Sequence, residues 1–147
     1  MTKEEKTLLT KVLCEQLPYN VKVHCKWFMY QEETPTEDIG VLVQISNKKA
    51  LVKRQNQTTS FYLNSCGCSI LPYLRPLFSL TEEEQYQLGR LIGTCSYNMI
   101  KGEWSSLEDL LEFVHKNHID IFGLIPKGLA IAAVGENNPY KEEGGEK

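Results

Sequence analysis

Residues 71–84, Leu-Pro-Tyr-Leu-Arg-Pro-Leu-Phe-Ser-Leu-Thr-Glu-Glu-Glu, restrict the fold more than any other stretch. Two prolines remove backbone donors and restrict the residue before each, so this apolar run cannot be helix. Thr81 then suits a helix N-cap, with Glu84 three positions on to complete a capping box. An extended connector docked on a core, passing into a marked helix, is the expected structure. It separates a half with a period of two from a half with a period of 3.6.

The first half begins with its own helix, expected over residues 3–16. Leu8, Leu9, Val12, Leu13 and Gln16 recur at helical spacing, Thr2 with Glu5 forms a second capping box, and Pro18 stops the run. From Asn20 the pattern alternates. Val21, Val23, Cys25, Trp27 and Met29 share one face, with Lys22, His24, Lys26 and Tyr30 on the other. Ile39, Val41, Val43 and Ile45 alternate in the same way after a polar loop. Ser46 to Lys49 suits a hairpin turn, Ala50 to Arg54 the return strand, and Ser60 to Leu63 a short fourth.

In the second half Leu88, Leu91, Ile92, Cys95 and Met99 form a helical stripe, with Gly102 placed to cap its C-terminus. The Gly89 and Gly93 spacing weakens that helix or permits close helix packing. Ser105 or Ser106 would cap a following helix with Leu107, Leu110, Leu111 and Val114 buried. A helical turn over residues 119–126 and a final strand from Leu129 to Val134 complete the pattern. The expected fold is α+β: an N-terminal helix and an antiparallel meander of three to five strands, covered on one face by C-terminal helices. Residues 1–135 form one domain, and 136–147 a polar, mobile tail.

At 147 residues the chain suits one domain able to bury a real core. No apolar run approaches the roughly 20 residues of a membrane helix. The charged N-terminus has no apolar segment after it, so no secretory signal is expected. Five cysteines, an odd number, are then read as reduced thiols in a cytoplasm. The Asn56-Gln57-Thr58 sequon carries no meaning there. Residues 1–80 hold ten basic and seven acidic residues, and residues 81–147 six and twelve. Neither imbalance is large enough to imply nucleic acid.

Three places resemble a known family. They are Leu17-Pro18-Tyr19-x-Val21-Lys22-Val23, the run Tyr73-Leu74-Arg75-Pro76-Leu77-x-Ser79-Leu80-Thr81-Glu82-Glu83-Glu84, and His118-x-Asp120-x-x-Gly123-Leu124-Ile125-x-x-Gly128-Leu129-Ala130. Together they resemble small uncharacterised proteins encoded by phages and prophages of gut bacteria, over most of residues 17–130. The resemblance implies a setting in a bacterial cytoplasm, with no activity or site residues to carry over. The Cys66-Gly67-Cys68 insertion departs from the family pattern.

Catalytic and metal constellations are sparse. Cys66 and Cys68 with His115 and His118 supply zinc-type donors, but a single residue between the cysteines disfavours both sulfurs reaching one ion. No metal and no cofactor is expected. A thiol hydrolase using Cys66 or Cys68 with His118 and Asp120 is the alternative reading, although no activating turn is legible. Cys14, Cys25 and Cys95 lie on apolar stripes and read as core. Phosphate loops are absent, and Glu82–Glu84 and Glu108–Asp109 sit where helix dipoles favour carboxylates.

Binding residues are more informative. Lys48, Lys49, Lys53 and Arg54 make a basic hairpin tip, read as edge protection before nucleic-acid binding. Arg75, in an apolar connector, needs a partner: a salt bridge, a stack on Trp27, Phe61 or Tyr73, or a ligand anion. If a nucleotide-like anion binds, Arg75, Lys53 and Tyr62 are the expected residues. Phe28, Tyr30 and Tyr62 should face away from the covered side and form an interface. The sequence thus points to a non-enzymatic accessory protein that binds a host protein or a small anion, possible counter-defence, homo-oligomeric through its aromatic sheet face, with no membrane partner.

Overall fold

The computed structural model describes residues 1–46, 48–63 and 67–141. It is α+β, with the order α1 (Lys3–Gln16), β1 (Lys22–Trp27), β2 (Thr36–Ile45), β3 (Lys49–Arg54), β4 (Gln57–Tyr62), β5 (Ser69–Leu74), α2 (Glu82–Ile100), α3 (Ser105–Lys116) and β6 (Ile131–Ala132). Six strands form one sheet in the order β4-β3-β2-β1-β5-β6. Every pairing is antiparallel except the short β5–β6 edge.

Local chemistry explains the helix boundaries. The Glu5 amide donates to Thr2 Oγ1 at 3.1 Å while the Thr2 amide donates to Glu5 Oε2 at 2.7 Å. Thr81 and Glu84 repeat the exchange at 3.2 and 2.9 Å. Each box satisfies donors that the first turn would otherwise leave unpaired. Gly102, at φ +82, takes the left-handed position after α2. The start of α3 differs from expectation. Trp104 occupies its cap position and no side chain caps it.

The connector also differs. Residues 69–74 form β5, with Pro72 inside it and opposite Val23 of β1. Proline is tolerated because β6 pairs only with Tyr73 and Leu74, so no ladder bond is demanded on that side at Pro72. The final strand shrinks to Ile131–Ala132.

In β2 the expected face is reversed as far as Leu42, and a register shift between Leu42 and Gln44 marks a bulge that returns Ile45 to the core. Gly40 and Leu42 face the core, while Ile39 and Val43 remain 45% and 49% exposed. Gly40 has no room for a Cβ, which would meet the Lys53 carbonyl oxygen at 2.8 Å. The freed space is filled by Arg54, whose guanidinium lies 4.6 Å from the Trp27 ring and bonds Asp38 at 3.1 Å and Thr59 at 2.8 Å. Arg54 is therefore not part of the basic tip.

The main core joins α1 to the sheet: Leu9, Val12 and Leu13 pack with Val21, Val23, Cys25, Leu42, Val52 and Ile70. Leu124, Leu129 and Ala130 complete it from the C-terminal segment. A second, smaller cluster of Leu80, Val114 and Ile119 lies with Leu88, Leu110 and Phe113, so the α2 stripe meets α3. Cys25 and Cys95 are buried as expected, but Cys14 is exposed on the outer side of α1.

Candidate functional site

Two places gather chemistry-bearing side chains: a buried polar junction at the end of α1, and a cleft beside its first turns. The junction is built around Gln16. Its Nε2 donates to His115 Nδ1 at 3.2 Å, and its Oε1 accepts from His118 Nδ1 at 2.9 Å. One amide orientation thereby sets both tautomers, with His115 protonated on Nε2 and His118 on Nδ1. His115 Nε2 points to Glu15 Oε2 at 3.6 Å.

His118 terminates α3. It takes φ +54, and its amide bonds the His115 carbonyl while the Ile119 amide returns to Val114. That pair of bonds is a Schellman termination, with histidine in a position usually held by glycine. Its ring stacks on Tyr140 at 4.2 Å and 10°. The Tyr140 hydroxyl donates to the Tyr73 carbonyl at 2.8 Å and accepts the Lys22 amide at 3.0 Å. The segment expected to be mobile from residue 136 is therefore fastened as far as Tyr140; residues 142–147 lie outside the described set.

Electrostatics mark this junction as structural. Burial, then the Arg75 and Lys22 charges, push the His118 pKa down to about 4. Burial lowers His115 too, against the opposing pull of Glu15. Both rings are neutral at pH 7, so neither acts as a helix-end cation. Asp120 receives the Leu124 amide at 2.8 Å and the Ile125 amide at 2.9 Å, which occupies both its oxygens.

Arg75 finds its partner inside the chain. Its guanidinium grips Glu84 through two bonds of 3.0 and 2.7 Å and adds the Ser79 carbonyl at 3.2 Å. The same contact holds the Glu84 carboxyl below the usual carboxylate range. Lys53 stands opposite Thr58, and Tyr62 lies four residues further along β4, roughly 13 Å away at strand rise. The three residues expected to share an anion are thus not brought together.

The expected interface is also dispersed. β1 ends at Trp27, so Phe28 and Tyr30 belong to the following loop rather than to a sheet face. Phe28 packs over Gly67, where a Cβ would lie 2.6 Å from its ring. Tyr30 is 91% exposed, and Tyr62 is exposed at the end of β4.

The cleft was not legible in the sequence. It encloses about 510 Å³ between α1, the end of β4 and the start of β5. Three strands part β4 from β5, yet both line it, so the sheet bends round α1. Leu9, Leu63, Ile70 and Leu71 give an apolar wall; Lys3, Lys6 and Lys11 are the charged side chains along it. Thr7 and Thr10 spend their hydroxyls on the Lys3 and Lys6 carbonyls. No carboxylate or imidazole lines it among the described residues.

Cys68 lines this cleft beside residues 3–11 of α1, whereas His118 meets Gln16 at the far end of the same helix. Cys66 lies outside the described residues. No group of three or more His, Cys, Asp or Glu is placed to hold a metal ion among the described residues. None of their helices is long and apolar enough to cross a membrane. No protein-family model, no curated protein and no solved structure matches the chain.

Proposed function

We propose that the protein is a non-enzymatic binding module that holds a small amphiphilic anion in the cleft beside α1. One observation carries the reading: an apolar cavity of ligand size whose charged lining residues, among those described, are three lysines and no acid. An acyl or aromatic body would sit against Leu9, Ile70 and Leu71, with a carboxylate or phosphate toward Lys3 and Lys6. Catalysis is disfavoured because His115, His118 and Asp120 are committed to the junction and no imidazole or carboxylate lines the cleft with Cys68 among the described residues. The resemblance to phage-encoded small proteins suggests the setting, an accessory protein of a bacterial cytoplasm that sequesters a host ligand, counter-defence included.

Calorimetric titration with dodecanoate tests the reading, with dodecylamine as the charge-reversed control. Dodecanoate should bind, and Lys3→Gln with Lys6→Gln should weaken it by about tenfold, about 1.4 kcal/mol. Equal binding of the amine, or no binding of either, would refute it.

A second reading, docking of a host protein, draws on the consecutive exposed residues Phe28, Met29 and Tyr30. Such a cluster is the kind of apolar knob that anchors protein interfaces.

A further inference from the structure

Helix α2 has two contrasting faces. At 100° per residue, Glu84, Leu88, Leu91, Cys95 and Asn98 form the stripe turned to α3, and these are its buried or half-buried positions. Directly opposite run Tyr86, Gly89, Gly93, Tyr97 and Ile100. Tyr86, Tyr97 and Ile100 are 70%, 60% and 87% exposed. A Cβ on Gly89 or Gly93 would meet nothing within 4 Å. Packing among the described residues gives no reason for glycine there, and each costs about 1 kcal/mol relative to alanine in a helix interior.

We propose that α2 is a self-association helix, pairing antiparallel with α2 of a second copy across this face. The pattern is large residues outside and glycines inside, and it reads nearly the same in reverse about residue 92. A two-fold axis there sets Tyr86 beside the partner's Tyr97 and brings the two glycine pairs face to face. The glycines let the backbones approach closely. Charge selects the same orientation. Glu83 and Lys101 lie on one flank of the stripe, so an antiparallel copy places each Glu83 beside the partner's Lys101, and the helix dipoles oppose favourably. A parallel pair would instead crowd the Glu82–Glu84 runs together.

The patch is small. The two tyrosines and Ile100 expose roughly 400 Å² per copy, taking about 200 Å² for a full aromatic side chain. A pair would bury roughly 800 Å², the size of a weak, concentration-dependent contact. This inference is independent of the cleft, which lies beside α1.

Sedimentation velocity on the full chain from about 1 µM to about 1 mM tests it, a range that spans the weak association a small interface allows. A concentration-dependent dimer is expected. Gly93→Arg should weaken it at least tenfold while thermal stability of the monomer holds or rises. Glu83→Lys alone should weaken it, and adding Lys101→Glu should restore it. Lys3→Gln should leave it unchanged. A monomer across the range, or a dimer indifferent to Gly93→Arg, would overturn the proposal; failure of the charge swap to restore the dimer would overturn the antiparallel pairing.

Discussion

The sheet with α1 and the α2–α3 hairpin are held by different means. The first buries an extended cluster from Leu9 to Ala130 and closes it with a hydrogen-bonded polar junction. The second gathers only a small apolar cluster around Leu80, Val114 and Ile119 among the described residues, and Cys95 is the one buried position along α2. Caps and the Arg75–Glu84 fork therefore carry a large share of the hairpin's order. One half is fixed by packing, the other by its ends. The hairpin should open locally well before the sheet does.

The largest expected effect lies in the packed half. Leu13→Ala should lower unfolding free energy by about 3–4 kcal/mol in denaturant titration, because Leu13 is almost fully enclosed. Leu88→Ala, half-buried in the hairpin, should lower it far less. Similar losses at the two sites would break the contrast.

Acid should act on the junction next. The folded pKa of His118, about 4, lies below its ordinary value of 6.5. The unfolded chain thus binds more protons between these values, and stability falls as pH drops from about 6.5 toward 4. The full loss from this ring is roughly 3 kcal/mol. His118→Asn keeps a residue able to adopt the left-handed conformation and removes the titration, so it should flatten that slope. An unchanged slope would assign the acid sensitivity elsewhere.

Arg75→Gln should cost about 2 kcal/mol, since Glu84 and the Ser79 carbonyl lose a half-buried charged partner. A double-mutant cycle with Glu84→Gln should show coupling. Thr81→Ala should cost about 1 kcal/mol and speed amide exchange in α2 while leaving β1 untouched. The smallest effect is a gain: Gly89→Ala, in open space, should stabilise the hairpin by about 0.5–1 kcal/mol.

What the sequence revealed follows the range of the interactions. Capping boxes at Thr2–Glu5 and Thr81–Glu84 span three residues, and both form as read. The α+β class follows from periodicity alone. The bulge at Val43 was not legible, because Gly40 faces inward only once Val52 and Arg54 arrive from another strand. Arg54 resembles its basic neighbours until Trp27 offers it a ring. The α2 stripe shows that something is buried, yet not whether a sheet or a helix covers it. The cleft needs residues 1–11 beside residues 62–63 and 68–71, which no local pattern encodes.

The single amide of Gln16 has a consequence for how charge can enter the molecule. It offers its oxygen to one ring and its nitrogen to the other, so it cannot welcome a proton on His115 Nδ1 without turning over. Turning over would then set donor against donor at His118, unless its proton moves to Nε2. The two imidazoles thus share one amide as a see-saw shares its plank, and a change of proton on either ring is felt by the other.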